Sequence, residues 1–261
     1  MQQAMQIELG RQLLSALDER RTALAETIYR NPVSDYISAE QVALERRRFF
    51  RESPLVMGLS GDLPEPGDFI TNDLLGAPIL IARRDDGQVN AFLNVCRHRG
   101  TKVAEGCGSG QKSFVCPYHG WSYGRDGRLI GITDNRAFGE IDRPSHGLRA
   151  LPVKEEYGLV WVRPLPGEAS IEPSSLLGGL APEMAAYGFD RYAHYETRVL
   201  HRRMNWKLVV DTFLEAYHVP ILHRKTIAPL INGRSTVFNP YNGNLRMVVP
   251  RTTIDELRTL P

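Results

Sequence analysis

VCRHRGTKV (Val95–Val103) and VCPYHGWSYG (Val115–Gly124) are the two stretches on which the reading of this 261-residue chain turns. Each sets a cysteine and a histidine almost side by side among glycine and aromatic residues. Cys96 and His98 form C-x-H, Cys116 and His119 form C-x-x-H, and seventeen residues, Arg99 to Val115, separate the pairs. Packing gives no reason for cysteine and histidine to recur together at such short spacings, so the pairs point to a metal. Two thiolates and two imidazoles suit a tetrahedral zinc, or a [2Fe-2S] cluster with its cysteines on one iron and its histidines on the other. A structural zinc commonly takes two like ligands from a knuckle or helix turn. Here each loop offers one sulfur and one nitrogen, which lets each loop clamp across two irons.

The surrounding sequence is β-rich. PILIARRDDGQVNAFLNV reads as strand, Asp86-Gly87 turn, strand, and GWSYGRDGRLIGI repeats the pattern around Asp126-Gly127. LPVKEEYGLVWVRP predicts a third hairpin turning near Tyr157-Gly158. Residues 56–165 therefore form a small antiparallel β domain, with the Cys-His pairs in loops at strand ends, where a rigid sheet holds ligands well. Cys107 lies in a glycine-rich connection, EGCGSGQ, and is expected to be a free thiol. With only three cysteines, metal ligation is expected rather than a disulfide framework.

Residues 1–55 read as a helical segment. Apolar positions from Leu9 to Ile28 have helical spacing over about Glu8 to Ile28, and SAEQVALERRRFF predicts a second helix with Ser38 as N-cap and Gln41 completing a capping box. Proline and glycine crowd residues 164–182, marking a boundary before a third region, 166–261. There HYETRVLHRRMNW alternates as a strand would, and NWKLVVDTFLEAYHVPILH has helical spacing up to Pro220. In one helix Asp211, Glu215 and His218 share a face at i, i+4 and i+7, while His223 points about 140° away from His218. A break at Pro220 would let His223 swing back. Two histidines and a carboxylate make the facial triad of non-haem Fe(II) oxygenases. Asp211 is either a helix-face charge or a partner orienting a ligating histidine. His146, His194 and His201 have no partner pattern and read as structural.

Composition narrows the function classes. A net charge of +2 with 42% hydrophobic and 24% charged residues fits a globular protein and gives no electrostatic footprint for nucleic acid. The absence of a secretory or membrane-spanning apolar run makes the cytoplasm the expected location.

The C-x-H and C-x-x-H pairs, with Gly100, Pro117 and Gly120 around them, resemble the Rieske family. Arg99-Gly100 and Tyr118 stand where respiratory Rieske proteins carry extra cysteines, so the resemblance is to the ring-hydroxylating oxygenase branch. Asn205-Trp206-Lys207 and Glu215-Ala216-Tyr217-His218 with His223 resemble the oxygenase α subunit. This resemblance implies an α+β chain: N-terminal helices, a small antiparallel Rieske [2Fe-2S] domain, and the first part of a helix-grip catalytic domain. It implies that Cys96, His98, Cys116 and His119 hold the cluster and that His218 and His223 hold a mononuclear Fe(II), whose third ligand, an Asp, lies in a part of the family fold beyond this sequence. Glu215 takes the position, usually Asp, of a carboxylate bridging the cluster of one subunit to the iron of its neighbour in a homotrimer. The glutamate is reminiscent of relatives that oxidise trimethylammonium compounds. Electrons would come from NAD(P)H through a partner reductase, directly or through a ferredoxin, and dioxygen would hydroxylate an aromatic or quaternary-ammonium substrate by mono- or dioxygenation. A Rieske electron carrier without oxygen chemistry, and a zinc-stabilised binding module, are the alternative readings.

Overall fold

The computed structural model describes residues 2–192 and 194–259, which divide into two compact units. One unit comprises Ala43–Ser175 with Gly188–Thr197; the other comprises the chain up to Val42, Leu176–Tyr187, and the chain from Arg198 onward. The predicted helical segment 1–55 is thus shared between them.

The first unit is built on eleven strands: β1 (Leu55–Leu59), β2 (Phe69–Asn72), β3 (Ile79–Arg83), β4 (Val89–Leu93), β5 (Cys107–Gly108), β6 (Ser113–Val115), β7 (Ser122–Gly124), β8 (Leu129–Gly131), β9 (Ala150–Leu151), β10 (Val153–Glu156) and β11 (Leu159–Val162). They form a five-stranded sheet in the order β5-β2-β3-β4-β9 and two three-stranded sheets, β1-β11-β10 and β6-β7-β8, all antiparallel. The predicted hairpins form around their turns. Tyr157 and Gly158 are both left-handed, at φ +59° and +73°, as a tight hairpin turn requires. At Gly127, with φ +80°, a Cβ would collide with the ring of Phe92.

β3 is buried along its whole length, and its alternation explains the layering. Leu80 and Ala82 join Phe92, Phe114, Trp121, Tyr123 and Leu129 in one core, between the five-stranded sheet and β6-β7-β8. Ile79 and Ile81 join Val89, Ala91, Val160 and Val162 in a second core against β1-β11-β10. Cys96 and Cys116 belong to the first core. Cys107 is exposed and free as expected, but it pairs in β5 opposite Ile70 instead of lying in an irregular connection.

The helices are α1 (Gln3–Asp18), α2 (Ser34–Ile37), α3 (Ala39–Arg47), α4 (Pro173–Leu177), α5 (Ala181–Tyr187), α6 (Trp206–Phe213) and α7 (Val219–Leu222), and a β12 (Val237–Tyr241) and β13 (Asn244–Val248) hairpin follows. At α3 the backbone N–H of Gln41 donates to Ser38 Oγ at 3.2 Å, the expected cap, and a π-helical turn, Arg48–Glu52, extends the helix. α1 buries Leu9, Leu13 and Ala16 and stops at Asp18, ten residues before the expected end; Leu24 and Ile28 are 85% and 90% exposed. Residues 194–200 form no strand, correcting the reading of their alternation. Among the described residues no helix is long and apolar enough to cross a membrane.

Candidate metal centres

The two Cys-His loops have the same backbone plan. The N–H of Cys96 donates to the carbonyl of Thr101, five residues on, and the N–H of Cys116 donates to the carbonyl of Trp121, each at 2.8 Å. Gly100 and Gly120, four residues after each cysteine, donate back to the cysteine carbonyl at 2.9 Å. Both glycines are left-handed, at φ +81° and +70°, the conformation glycine reaches without cost. At Gly120 a Cβ would also strike Thr133 Oγ1. Each loop is therefore a short hydrogen-bonded turn that sinks its cysteine into the core and turns its histidine outward.

These turns bring the His98 and His119 rings to 4.7 Å between centroids, and both cysteines are buried without a disulfide. The indole of Trp121 stacks on His98 at 5.1 Å and 9°. Tyr123 accepts a hydrogen bond from the Arg97 N–H at 2.9 Å, which leaves its own proton for Cys96 Sγ at 3.3 Å. Burial pushes the Tyr123 hydroxyl well above its usual range, and the bond to Cys96 adds to this, so Tyr123 remains a donor. Asn94, fully buried, accepts from the N–H groups of Val103 and Ala104 and donates to the Ala104 carbonyl, pinning the return of the first loop. Sequence reading missed Trp121, Tyr123 and Asn94 as supports of the site. The only sign of Asn94 was a polar residue directly after an apolar strand.

A [2Fe-2S] cluster fits this arrangement. Nδ1 of His98 is buried with no hydrogen-bond partner among the described residues, a state that costs about 1–3 kcal/mol unless something fills it. Burial, followed by the His119 and Arg99 charges, holds the His98 imidazole below its usual pKa, so it is neutral, as a metal ligand must be. Two cysteines and two histidines come from two loops of matching geometry, whereas no three His, Cys, Asp or Glu side chains gather for a single ion among the described residues.

The second histidine pair lies in the other unit. α6 is capped by Asn205, whose side chain accepts from the Lys207 N–H at 3.0 Å and donates to the Tyr36 carbonyl at 2.8 Å. The helix ends at Phe213, so the predicted single face through Asp211, Glu215 and His218 does not form. His218 and His223 instead bracket α7 as its two caps, with ring centroids 5.3 Å apart. Pro220 sits in the first turn of α7, where its missing N–H costs nothing, so it belongs to a new helix instead of breaking an old one. Glu215 Oε1 contacts His218 Nδ1 in a short hydrogen bond, and Oε2 accepts from the His218 N–H at 3.1 Å. Burial opposes ionisation of Glu215, but bonds from the imidazole and from the backbone of His218 and Tyr217 outweigh it and hold the carboxyl below its usual range. The group that orients His218 is thus Glu215. Asp211 accepts from the Tyr36 hydroxyl at 2.7 Å, a tie to α2 that replaces the expected choice between bare charge and histidine partner.

Comparison with known proteins agrees with this geometry. Residues 53–152 match the family described as the Rieske [2Fe-2S] domain, and residues 189–254 match the ring hydroxylating alpha subunit (catalytic domain). The glycine betaine monooxygenase oxygenase subunit of Chromohalobacter salexigens is 30% identical over 200 residues, covering 77% of this chain and 44% of the relative. The chloroplastic choline monooxygenase of Spinacia oleracea is 34% identical over 208 residues, covering 76% and 46%. A quaternary ammonium Rieske monooxygenase in complex with its substrate gamma-butyrobetaine superposes with a TM-score of 0.71 at 26% identity, covering 81% of this chain and 58% of that one. Naphthalene 1,2-dioxygenase with bound indole gives 0.59 at 27%, covering 72% and 43%. The chain spans about half the length of the curated relatives it matches. Paired cysteine-histidine loops on an antiparallel core, followed by the match at residues 189–254, give this chain a Rieske [2Fe-2S] domain and a portion of a ring-hydroxylating alpha-subunit catalytic domain, and its relatives are Rieske oxygenase subunits.

Proposed function

We propose that the chain is the electron-receiving and iron-holding part of a Rieske non-haem iron oxygenase acting on a quaternary-ammonium substrate. The observation that carries this reading is the pairing of two like-folded Cys-His loops with a second histidine pair whose member His218 is oriented by Glu215. Cys96 and Cys116 would hold one iron of the cluster and His98 and His119 the other; His218 and His223 would hold Fe(II). When bound, the cluster supplies single electrons and the ferrous iron supplies the site of dioxygen activation.

The chain's own residues set the terms for both groups. The turns fix the four ligands, and Trp121 covers one face of His98 and keeps water from it. Glu215 accepts a hydrogen bond from His218 Nδ1–H, which would leave the Nε2 lone pair free for a metal. The bridging role of Glu215 between subunits, a homotrimer, NAD(P)H used through a reductase or ferredoxin, and a cytoplasmic location that keeps Cys107 reduced all belong to this proposal. The substrate class rests on the relatives, which include glycine betaine, choline and carnitine monooxygenases.

Anaerobic purification with assay of iron and acid-labile sulfide tests the reading. The expected result is about two irons and two sulfides at the cluster. The double variant His218→Ala/His223→Ala should keep both and lose the binding of added Fe(II). Zinc without sulfide would establish the binding-module alternative, and unchanged Fe(II) binding in the double variant would leave an electron carrier.

Tyr123→Phe removes the hydroxyl donor directed at Cys96 Sγ. The reduced cluster carries more negative charge and gains more from that donor, so the variant's reduction potential should fall. A bond differing by ~1 kcal/mol between oxidation states corresponds to about 40 mV for one electron. Potentiometric titration followed by EPR measures it, and an unchanged or higher potential would exclude this role.

A further inference from the structure

Two charged clefts of the β unit differ in a way that bears on how electrons enter. One is lined by residues of the segments Arg84–Asp86 and Gly124–Arg128 together with Lys112 and Ile130, and its three arginines are already neutralised by three carboxylates of the same lining: Arg84 pairs with Asp86, Arg125 with Asp85, and Arg128 with Asp126. The other, about 590 Å³, is lined by Arg97 and by Pro144–Ala150, a set that contains Arg149 and His146 and no carboxylate. Neither Arg97 nor Arg149 has an acidic partner among the described residues, and Arg97 Nε is buried with no hydrogen-bond partner at all. Arg149 is exposed.

This unpaired cleft reaches the cluster loops by a short aromatic route. Arg97 lies between Cys96 and His98 in the chain. The His146 ring, in the cleft lining, stands 6.0 Å from the Trp121 indole, which stacks on His98 at 5.1 Å. An unsatisfied positive surface this close to a one-electron centre attracts an acidic partner and speeds its encounter.

We propose that the cleft lined by Arg97, His146 and Arg149 is the docking site of the protein that reduces the cluster, a one-electron donor with an acidic surface around its own redox centre. The proposal rests on the Rieske reading and identifies where the donor binds. Charge complementarity selects the occupant: the guanidinium groups lack internal partners, and docked carboxylates would supply them.

The test is stopped-flow reduction of the cluster-loaded chain by a reduced plant-type [2Fe-2S] ferredoxin, an acidic protein donor, with photoreduced neutral deazaflavin as the small reductant. In about 10 mM salt, Arg149→Glu should lower the second-order rate constant with ferredoxin about tenfold or more. In about 1 M salt, where the screening length is ~3 Å, the difference should shrink to within about twofold. Reduction by deazaflavin should be unchanged. Arg84→Glu makes the same charge change in the paired cleft and should stay within about twofold of the parent. If Arg149→Glu and Arg84→Glu behave alike, or if the Arg149→Glu defect persists at high salt or with deazaflavin, the docking site is overturned while the cluster assignment stands. A chain that assembles no cluster, judged by its visible and EPR spectra, overturns the Rieske reading and the docking site with it.

Discussion

Trp121→Ala is expected to destabilise the β unit by about 3–5 kcal/mol, the range for removing a large aromatic from a core. Trp121 is 2% exposed and belongs to the same core as Cys96 and Cys116. Its ring meets His98 face to face at 5.1 Å and Phe138 edge-on at 5.7 Å. Deleting it opens a cavity directly beneath His98, a proposed cluster ligand, so the loss reaches the candidate site as well as the fold. Against a total stability of about 5–15 kcal/mol for a typical domain, the variant loses a large share. Chemical denaturation of the cluster-loaded protein measures the first effect, and bleaching of the visible cluster spectrum during storage measures the second. Trp121→Phe is the control. Trp121 Nε1 is buried with no partner among the described residues, so phenylalanine forfeits no hydrogen bond to them and still covers His98. It should cost well under half as much as alanine. Equal losses for Ala and Phe would show that an aromatic ring over His98 is not what stabilises the unit.

The same neighbourhood shows how far sequence carries. The ligand pairs and the hairpins around Asp86-Gly87, Asp126-Gly127 and Tyr157-Gly158 are readable because each is a local event: a turn needs two residues of the right conformation, and a ligand loop needs its glycine. Trp121, Tyr123 and Asn94 act on groups that other strands bring to them, and no spacing encodes that. The length of α1 was overread for a related reason. Helical periodicity runs on past Asp18, but Arg20 is left-handed at φ +51°, and no glycine announces the stop. Apolar Leu24 and Ile28 keep the helical spacing without a surface to bury against.

Alternation in 194–200 failed as a strand signal because a strand exists only when a neighbour pairs with it, and none does among the described residues. At the second histidine pair, the helical spacing of Asp211, Glu215 and His218 does not produce one helix: α6 ends at Phe213 with Leu214 as its cap, and α7 starts after His218 with Pro220 in its first turn, a position that suits proline. His218 and His223 face each other because they cap the two ends of one short turn.

Breaking the Arg83–Glu155 pair is expected to cost about 3 kcal/mol, because one partner's loss strands a charge in the interior. Arg83, at the end of β3, is 7% exposed and grips both oxygens of Glu155 on β10, at 2.6 and 2.8 Å. It also donates to the carbonyls of Leu63 and Gly87, at 2.5 and 2.7 Å, so one side chain ties the central sheet to β1-β11-β10. Glu155→Gln leaves the guanidinium with a neutral partner. The estimate stays at the low end of the range for buried pairs because the Glu155 side chain is 27% exposed. The pH dependence has a definite sign. The hydrogen bond from Arg83 holds the Glu155 carboxyl below its usual range, outweighing burial, which pushes it up. A carboxylate with a depressed folded pKa stabilises the fold above its unfolded value, about 4.3, and that contribution disappears as pH falls through the folded value. The gap between parent and Glu155→Gln should therefore be constant near neutrality and close below about pH 4. Urea titrations across that range measure it, and a gap independent of pH would mean that packing, not charge, is lost. The double variant Arg83→Met/Glu155→Leu should cost less than Glu155→Gln alone, because it removes both charges and leaves none buried without a partner.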